Sequence, residues 1–163
     1  MTEEPTLDPV SQSRAIMALG GMDATNNEVV RTLESFVSRD DLDRCRHAVE
    51  ALAQLGPGAN EAVPAIAKLF DEEPSNDVTD AFFRAMVATA LGKFGTGGSA
   101  AIPALKKELS SRWGEVRSSA ARALGLMGPA AKECVPELSH LVDDSDKTVR
   151  AAAAEALGRI QHH

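Results

Sequence analysis

An alanine–leucine pair recurs along this chain on an almost fixed period. Leu19, Leu52, Leu91, Leu124 and Leu157 each follow an alanine, at steps of 33, 39, 33 and 33 residues. A period of this length marks stacked helix pairs, each burying its apolar face only against its neighbours. The constraint excludes a single closed core and makes the chain an all-α array.

The spacing around each leucine sorts buried from exposed positions. One residue earlier stands Ala18, Ala51, Ala90, Ala123 or Ala156. Four earlier stands Ala15, Ala48, Val87, Ala120 or Ala153, and three later Met22, Leu55, Phe94, Met127 or Ile160. These rows form the core stripe of a second, or B, helix in each unit, faced by Leu33, Ile66, Leu105 and Leu138 from a first, or A, helix. Punctuation agrees. Pro64, Pro103 and Pro136 lie near A-helix starts, where a missing N–H costs least. Gly56, Gly95 and Gly128 follow B helices, where a left-handed cap is needed. Aspartate and serine in the A–B turns, as in Asp143–Asp146, can cap the next helix.

The pattern predicts helices over 11–21, 26–38, 42–55, 60–71, 79–94, 99–110, 114–127, 131–142 and 147–160. The single 39-residue step carries a six-residue insertion between Asp71 and Phe83, a polar, acidic A–B loop. Residues 1–10 read as a poorly ordered tail, 11–160 as one repeat domain and 161–163 as a short C-terminal tail.

Val116-Arg-Ser-Ser-Ala-Ala-Arg-Ala-Leu-Gly125 and the stretch from Val149 to Gly158 resemble the short HEAT repeat, and more closely the PBS-lyase-type HEAT-like repeat. Weaker copies lie at 83–92 and 45–52. The resemblance spans roughly residues 11–160. It implies a right-handed α-α solenoid of about four full repeats plus an N-terminal half-repeat, with B helices concave and partners bound there. Two departures stand out: the first unit lacks its A helix, and no polar capping helix follows Ile160. Either the array is a segment of a longer one, or its ends pair with another chain; self-association through uncapped ends is an expectation.

Composition narrows the function. The net charge is −7, with 6 basic and 11 acidic side chains in residues 1–70 and 11 and 13 in residues 71–163. Nucleic-acid binding needs clustered cations and, for single strands, stacking aromatics. This chain has one Trp, five Phe and no Tyr. The acidity equally disfavours an anionic membrane surface, and no apolar run is long enough to span a bilayer. Cys45 and Cys134 lie far apart without ligand spacing and read as small buried apolar residues in a reducing, cytoplasmic setting. Gly95-Thr-Gly-Gly98 lacks the lysine of a phosphate loop. The sequence contains no His-Glu pair, and His47 and His140 sit in different units. No cofactor, metal or catalytic set is expected.

The positions nine, six, five and two before each leucine, and two after, form an exposed stripe on the B helices. It includes Arg46, Glu50, Phe82, Thr89, Lys93, Ser118, Arg122, Glu155 and Arg159, together with Ala85, Met86, Glu115, Ser119, Leu126 and Ala152. The mixed charge and few apolar residues suit a protein or peptide. Arg84, Arg117 and Arg150, seven before the leucine, read as a structural ladder bridging carboxylates and carbonyls of neighbouring repeats. Trp113 stands where the next unit has Asp146. It either folds back onto Arg117 or the neighbouring turn, or projects as an exposed anchor. The expected function is a non-enzymatic protein-interaction scaffold. The alternative is a subunit of a bilin-lyase-like or other modifying enzyme.

Overall fold

The computed structural model describes residues 27–161 together with Ala15 and Ala18. The expected tail at 1–10, the rest of the half-unit at 11–21 and residues 162–163 lie outside the described residues.

Among the described residues every regular element is helical. The α-helices are α1 (Asn27–Glu34), α2 (Leu42–Leu55), α3 (Val63–Ala67), α4 (Val78–Gly92), α5 (Ile102–Glu108), α6 (Gly114–Met127), α7 (Val135–Leu141) and α8 (Lys147–Gln161). The odd-numbered helices are the short A helices, the even-numbered ones the long B helices. Together they form an α-α solenoid.

The A helices correct the sequence expectation. In the last three units the chain leaves helix B as a 3-10 turn, over Gly56–Ala62, Gly95–Ala101 and Gly128–Cys134, before the α-helix starts. Continuous helices from 60, 99 and 131 would clash with the proline rings. Pro64, Pro103 and Pro136 occupy the first turn of α3, α5 and α7. A proline cannot donate to the carbonyl four residues back, and its ring strikes that carbonyl. Gly56 and Gly128 open their turns at φ 58°, ψ −132° and φ 61°, ψ −139°, a region that residues with a Cβ avoid.

Three of the four described B helices start at polar caps, and α6 starts at Trp113 with no side-chain cap. Asp41 accepts from the Arg44 N–H (3.0 Å), Asp77 from Thr79 (2.9 Å) and Asp146 from Thr148 (2.8 Å). Each satisfies an orphan donor of the first turn. Asp77 places the start of α4 at Val78, so the insertion is the loop over residues 71–77.

The core follows the leucine register. Leu52, Leu91 and Leu124 are fully buried, as are Ala48, Val87, Ala120 and Ala153 and the facing Leu33, Ile66, Leu105 and Leu138. Ala15 and Ala18, expected in the same stripe, are helical but exposed. A repeat position is buried only where a neighbouring unit stacks on it.

Glycine sets how closely the B helices approach. A Cβ on Gly92 would lie 3.0 Å from Ala123 Cα, and one on Gly125 would lie 2.8 Å from Ala156 Cα. Pairs α4/α6 and α6/α8 therefore pack tightly along their length, whereas α2 and α4 touch far less. At the corresponding place α2 carries Ala53 instead of glycine. Ala53 lines the groove that opens between the two helices.

Candidate functional site

The B helices present three exposed rows. Nine before the leucine stand Asp43, Phe82, Glu115 and Thr148; two before, Glu50, Thr89, Arg122 and Glu155; two after, Gln54, Lys93, Leu126 and Arg159. The other two rows of the expected stripe are largely covered, which corrects the reading of Ser118, Ala85 and Ala152. Ser118 and Ala85 lie one residue beyond Arg117 and Arg84, on the side against which the next B helix packs. Ala152 faces the preceding one. Ser118 is 5% exposed, and its hydroxyl donates to the Glu115 carbonyl (3.0 Å). It is not available to a partner.

A groove of about 440 Å³ lies over the gap between α2 and α4 and runs on to the start of α6. Ala53, Ala85, Ala90 and Met86 supply its apolar surface, and Arg46, Glu50, Thr89, Lys93, Glu115 and Ser119 its polar edges. A second, more apolar hollow of about 360 Å³ continues it toward the A–B turns, lined by Leu42, Asp43, Arg46, Thr79, Phe82, Phe83 and Met86. Phe82 belongs to both and is 55% exposed; Leu42 is 43% exposed. Apolar side chains this open to water represent unspent burial energy, about 25 cal/mol per Å² once covered. The charges around them are loosely held. Arg46 sits 3.7 Å from Asp43, and among the described residues Glu50, Lys93 and Glu115 show no ion pair. Thr89 directs its hydroxyl to the Ala85 carbonyl (2.8 Å), leaving its methyl toward the groove.

Of the residues expected at the site, Arg46, Glu50, Phe82, Thr89 and Lys93 thus converge. Arg122, Glu155 and Arg159 share a separate, smaller hollow over Gly125 and Leu126, where Glu155 and Arg159 pair at 2.9 Å. Trp113 joins neither. It folds back, onto Ala81, Ala85 and Val116 rather than onto Arg117, and the Arg112 guanidinium lies 5.4 Å from its ring centroid. Its indole Nε1 is buried without a partner. Leu42 was missed because a leucine directly after a cap reads as an ordinary helix start.

The rim made by the A–B turns is a cross-linked charge network. Arg84 donates to Asp80 (3.0 Å), to Glu108 of the next unit (3.0 Å) and to the Glu72 carbonyl. Arg117 makes two bonds to Asp144 of the next unit (2.9 and 2.7 Å) and one to the Ser111 carbonyl (2.8 Å). Among the described residues Arg150 reaches only the Asp144 and Ser145 carbonyls of its own turn. The first unit has Cys45 at that position, and Arg39 from its A–B turn fills the role. It pairs with Asp80 (2.5 Å) and Glu72 (3.1 Å) and lies over the Phe83 ring. Nothing in the leucine register pointed to Arg39, which lies outside the B helices. Burial pushes the Glu108 carboxyl above its ordinary value against the pull of Arg84. The hydrogen bond from Arg117 holds Asp144 below its own. Burial also lifts the Cys134 thiol to about 11 and raises that of Cys45, so neither supplies a thiolate at neutral pH. Among the described residues no group of three His, Cys, Asp or Glu is placed to hold a metal ion, and no helix is long and apolar enough to cross a membrane.

The profile of HEAT repeats matches residues 5–85 and 102–163. The chain belongs to the HEAT-repeat family. The PBS lyase HEAT-like repeat matches residues 83–111, from within α4 to just beyond α5. No curated protein matches the chain in sequence. Among solved structures, an engineered protein superposes with a TM-score of 0.70 at 21% identity over 98% of this chain and 78% of that one. The complex of CpcE and CpcF of phycocyanin lyase from Nostoc sp. PCC7120 gives 0.63 at 17% identity, over 91% and 90%. A structure of microtubule polymerases with TOG domain arrays, described for tubulin recruitment, gives 0.59 at 13% identity, over 96% of this chain and 38% of that one. At these identities the likeness is one of fold. Within this HEAT array one pair of B helices, α2 and α4, is held apart, with exposed Leu42 and Phe82 beside the gap and exposed Leu126 over the separate hollow.

Proposed function

We propose that this protein is an interaction scaffold that takes a segment of a partner protein into the groove between α2 and α4. The observation that carries the proposal is the parting of those two helices beside exposed Phe82 and Leu42. An apolar side chain of the partner enters against Phe82, Leu42 and Met86, the kind of central anchor that dominates interface energies. Arg46 and Lys93 against Glu50 and Glu115 orient the segment, since charges at an interface edge select direction more than they add affinity. The chain's family supports the reading, because solenoids use extended faces to bind other proteins.

The test is selection of binders from a displayed peptide library, followed by calorimetric titration. Selected peptides should lose most of their affinity for Phe82→Asp and change it modestly with Lys93→Glu. They should bind Arg122→Glu, in the other hollow, unchanged. Peptides that bind Phe82→Asp as tightly as wild type would overturn the proposal. The phycocyanin-lyase reading rests on fold likeness, which does not carry activity. Transfer of a tetrapyrrole to an acceptor protein would establish it instead.

A further inference from the structure

The groove between α2 and α4 opens at one end into an acidic mouth. The apolar hollow around Phe82 shares Leu42, Thr79 and Phe83 with a third hollow of about 310 Å³ beside the insertion loop. Five carboxylates line these two hollows, those of Asp43, Glu72, Glu73, Asp77 and Asp80, against the two guanidiniums of Arg39 and Arg46. The partial positive charges at the starts of α2 and α4, about half a unit each, do not cancel that excess.

The principal cation of the mouth is already engaged. Arg39 pairs with Asp80 (2.5 Å) and Glu72 (3.1 Å) and lies over the Phe83 ring, so it is not open to a partner's carboxylate. Three carboxylates keep capacity. Glu73 is exposed and, among the described residues, has no ion pair. Asp77 spends one oxygen on capping Thr79, and Asp43 has only Arg46, at 3.7 Å. A metal ion does not account for them, since among the described residues no group of three His, Cys, Asp or Glu is placed to hold one. A cation that brings its own hydrogen-bond donors suits the mouth better, and lysine and arginine side chains do so.

Charge along the B helices has the same polarity. The row nine before the repeat leucine holds Asp43, Phe82, Glu115 and Thr148, with no cation. The row two after holds Gln54, Lys93, Leu126 and Arg159, with no anion. Three helical turns separate the rows, about 16 Å along the axis, a span that about five extended residues cover. We propose, building on the groove as the binding site, that the partner segment is basic at one end. A lysine or arginine one to three residues from its apolar anchor enters the mouth among Asp43, Glu73 and Asp77, and the Lys93 end takes no basic residue. The segment then has one direction in the groove, because reversing it sets its cation against Lys93 and leaves the carboxylates unpaired.

The test is selection from a displayed random peptide library at low salt, with calorimetric affinities for wild type, Phe82→Asp and the double variant Asp43→Lys with Glu73→Lys. Selected peptides should carry lysine or arginine within three residues of an apolar residue, on one side only. The double charge reversal should weaken them roughly tenfold at about 50 mM salt and far less at about 500 mM, where the screening length falls to about 4 Å. Glu73→Lys alone, which breaks no ion pair within the protein, should weaken them about threefold and serves where Asp43→Lys disturbs the start of α2. Peptides that lose binding to Phe82→Asp yet ignore both charge variants would overturn this inference and leave the groove standing. So would a consensus that is acidic or uncharged beside its apolar residue. Peptides indifferent to Phe82→Asp, or no binder at all, would overturn the groove and its basic partner together.

Discussion

The repeat glycines give a prediction in which one substitution has opposite signs at equivalent positions. In Gly125→Ala the new Cβ would sit 2.8 Å from Ala156 Cα and 3.0 Å from its Cβ. Carbon atoms in contact prefer at least 3.5 Å, so α6 and α8 must part by about 0.7 Å. Overpacking of this kind costs about 1–3 kcal/mol. Alanine returns about 1 kcal/mol through its better helix propensity. The net loss is therefore about 0–2 kcal/mol, worth up to roughly 8 °C in Tm for a chain of this size. In Gly158→Ala nothing lies within 4 Å of the new methyl. The propensity gain then stands alone, reduced because Gly158 is in the last turn of α8, and the monomer should gain about 0.5 kcal/mol. Both variants are measured by thermal and urea unfolding at dilutions where the chain is monomeric. Stabilisation by Gly125→Ala, or destabilisation by Gly158→Ala, would refute the argument that glycine at this position exists for helix approach.

Other consequences follow from the rim. Arg84→Ala strands Glu108 in the protein interior and should cost about 3–5 kcal/mol, whereas the double replacement Arg84→Met with Glu108→Leu should recover most of it; urea titrations of the two variants decide the point. Asp144 is held below its ordinary pKa, so its contribution is present above that value and is lost as pH falls through the lower folded one. Glu108 is raised, so its ionisation weakens the fold as pH rises through its folded value. Tm should thus hold or rise slightly from neutrality toward pH 5 and fall below about pH 4, and Asp144→Asn should flatten that acid fall. Trp113→Phe removes an indole N–H that has no partner and should change stability by under about 1 kcal/mol, while Trp113→Ala uncovers Ala81 and Ala85 and should cost about 2–3 kcal/mol in the same assay.

Much of this architecture was legible because repeat physics is local. The alanine one residue before the leucine must be small wherever two helices cross. Ala51, Ala90, Ala123 and Ala156 could therefore be placed in the core from spacing alone. The capping aspartates were legible for the same reason. What the spacing could not separate was the side of a B helix facing solvent from the side facing the next unit. Ser118 shows the difficulty. Six residues before a leucine is polar enough to read as surface, yet it packs under α8 because serine is also small. Arg39 and Trp113 lie in turns, outside the period, and their contacts reach across units through the insertion and the start of α4. The A helices were read too long because an apolar pattern carries no record of where a proline ring collides with a carbonyl. The groove was not legible, because the period places α2 and α4 like the other B helices and carries no record that they part.

The central claim, that the parted helices α2 and α4 form the binding site, is tested most directly by methyl-resonance mapping. The protein, labelled at Ala, Leu and Met methyls, is titrated with a selected peptide. A peptide seated in the groove shifts Met86, Leu42, Ala53 and Ala90 first and most and leaves Leu105 and Leu138 of the A helices unmoved. Shifts concentrated on the A helices or over Leu126, with Met86 and Leu42 unchanged at saturation, would contradict it.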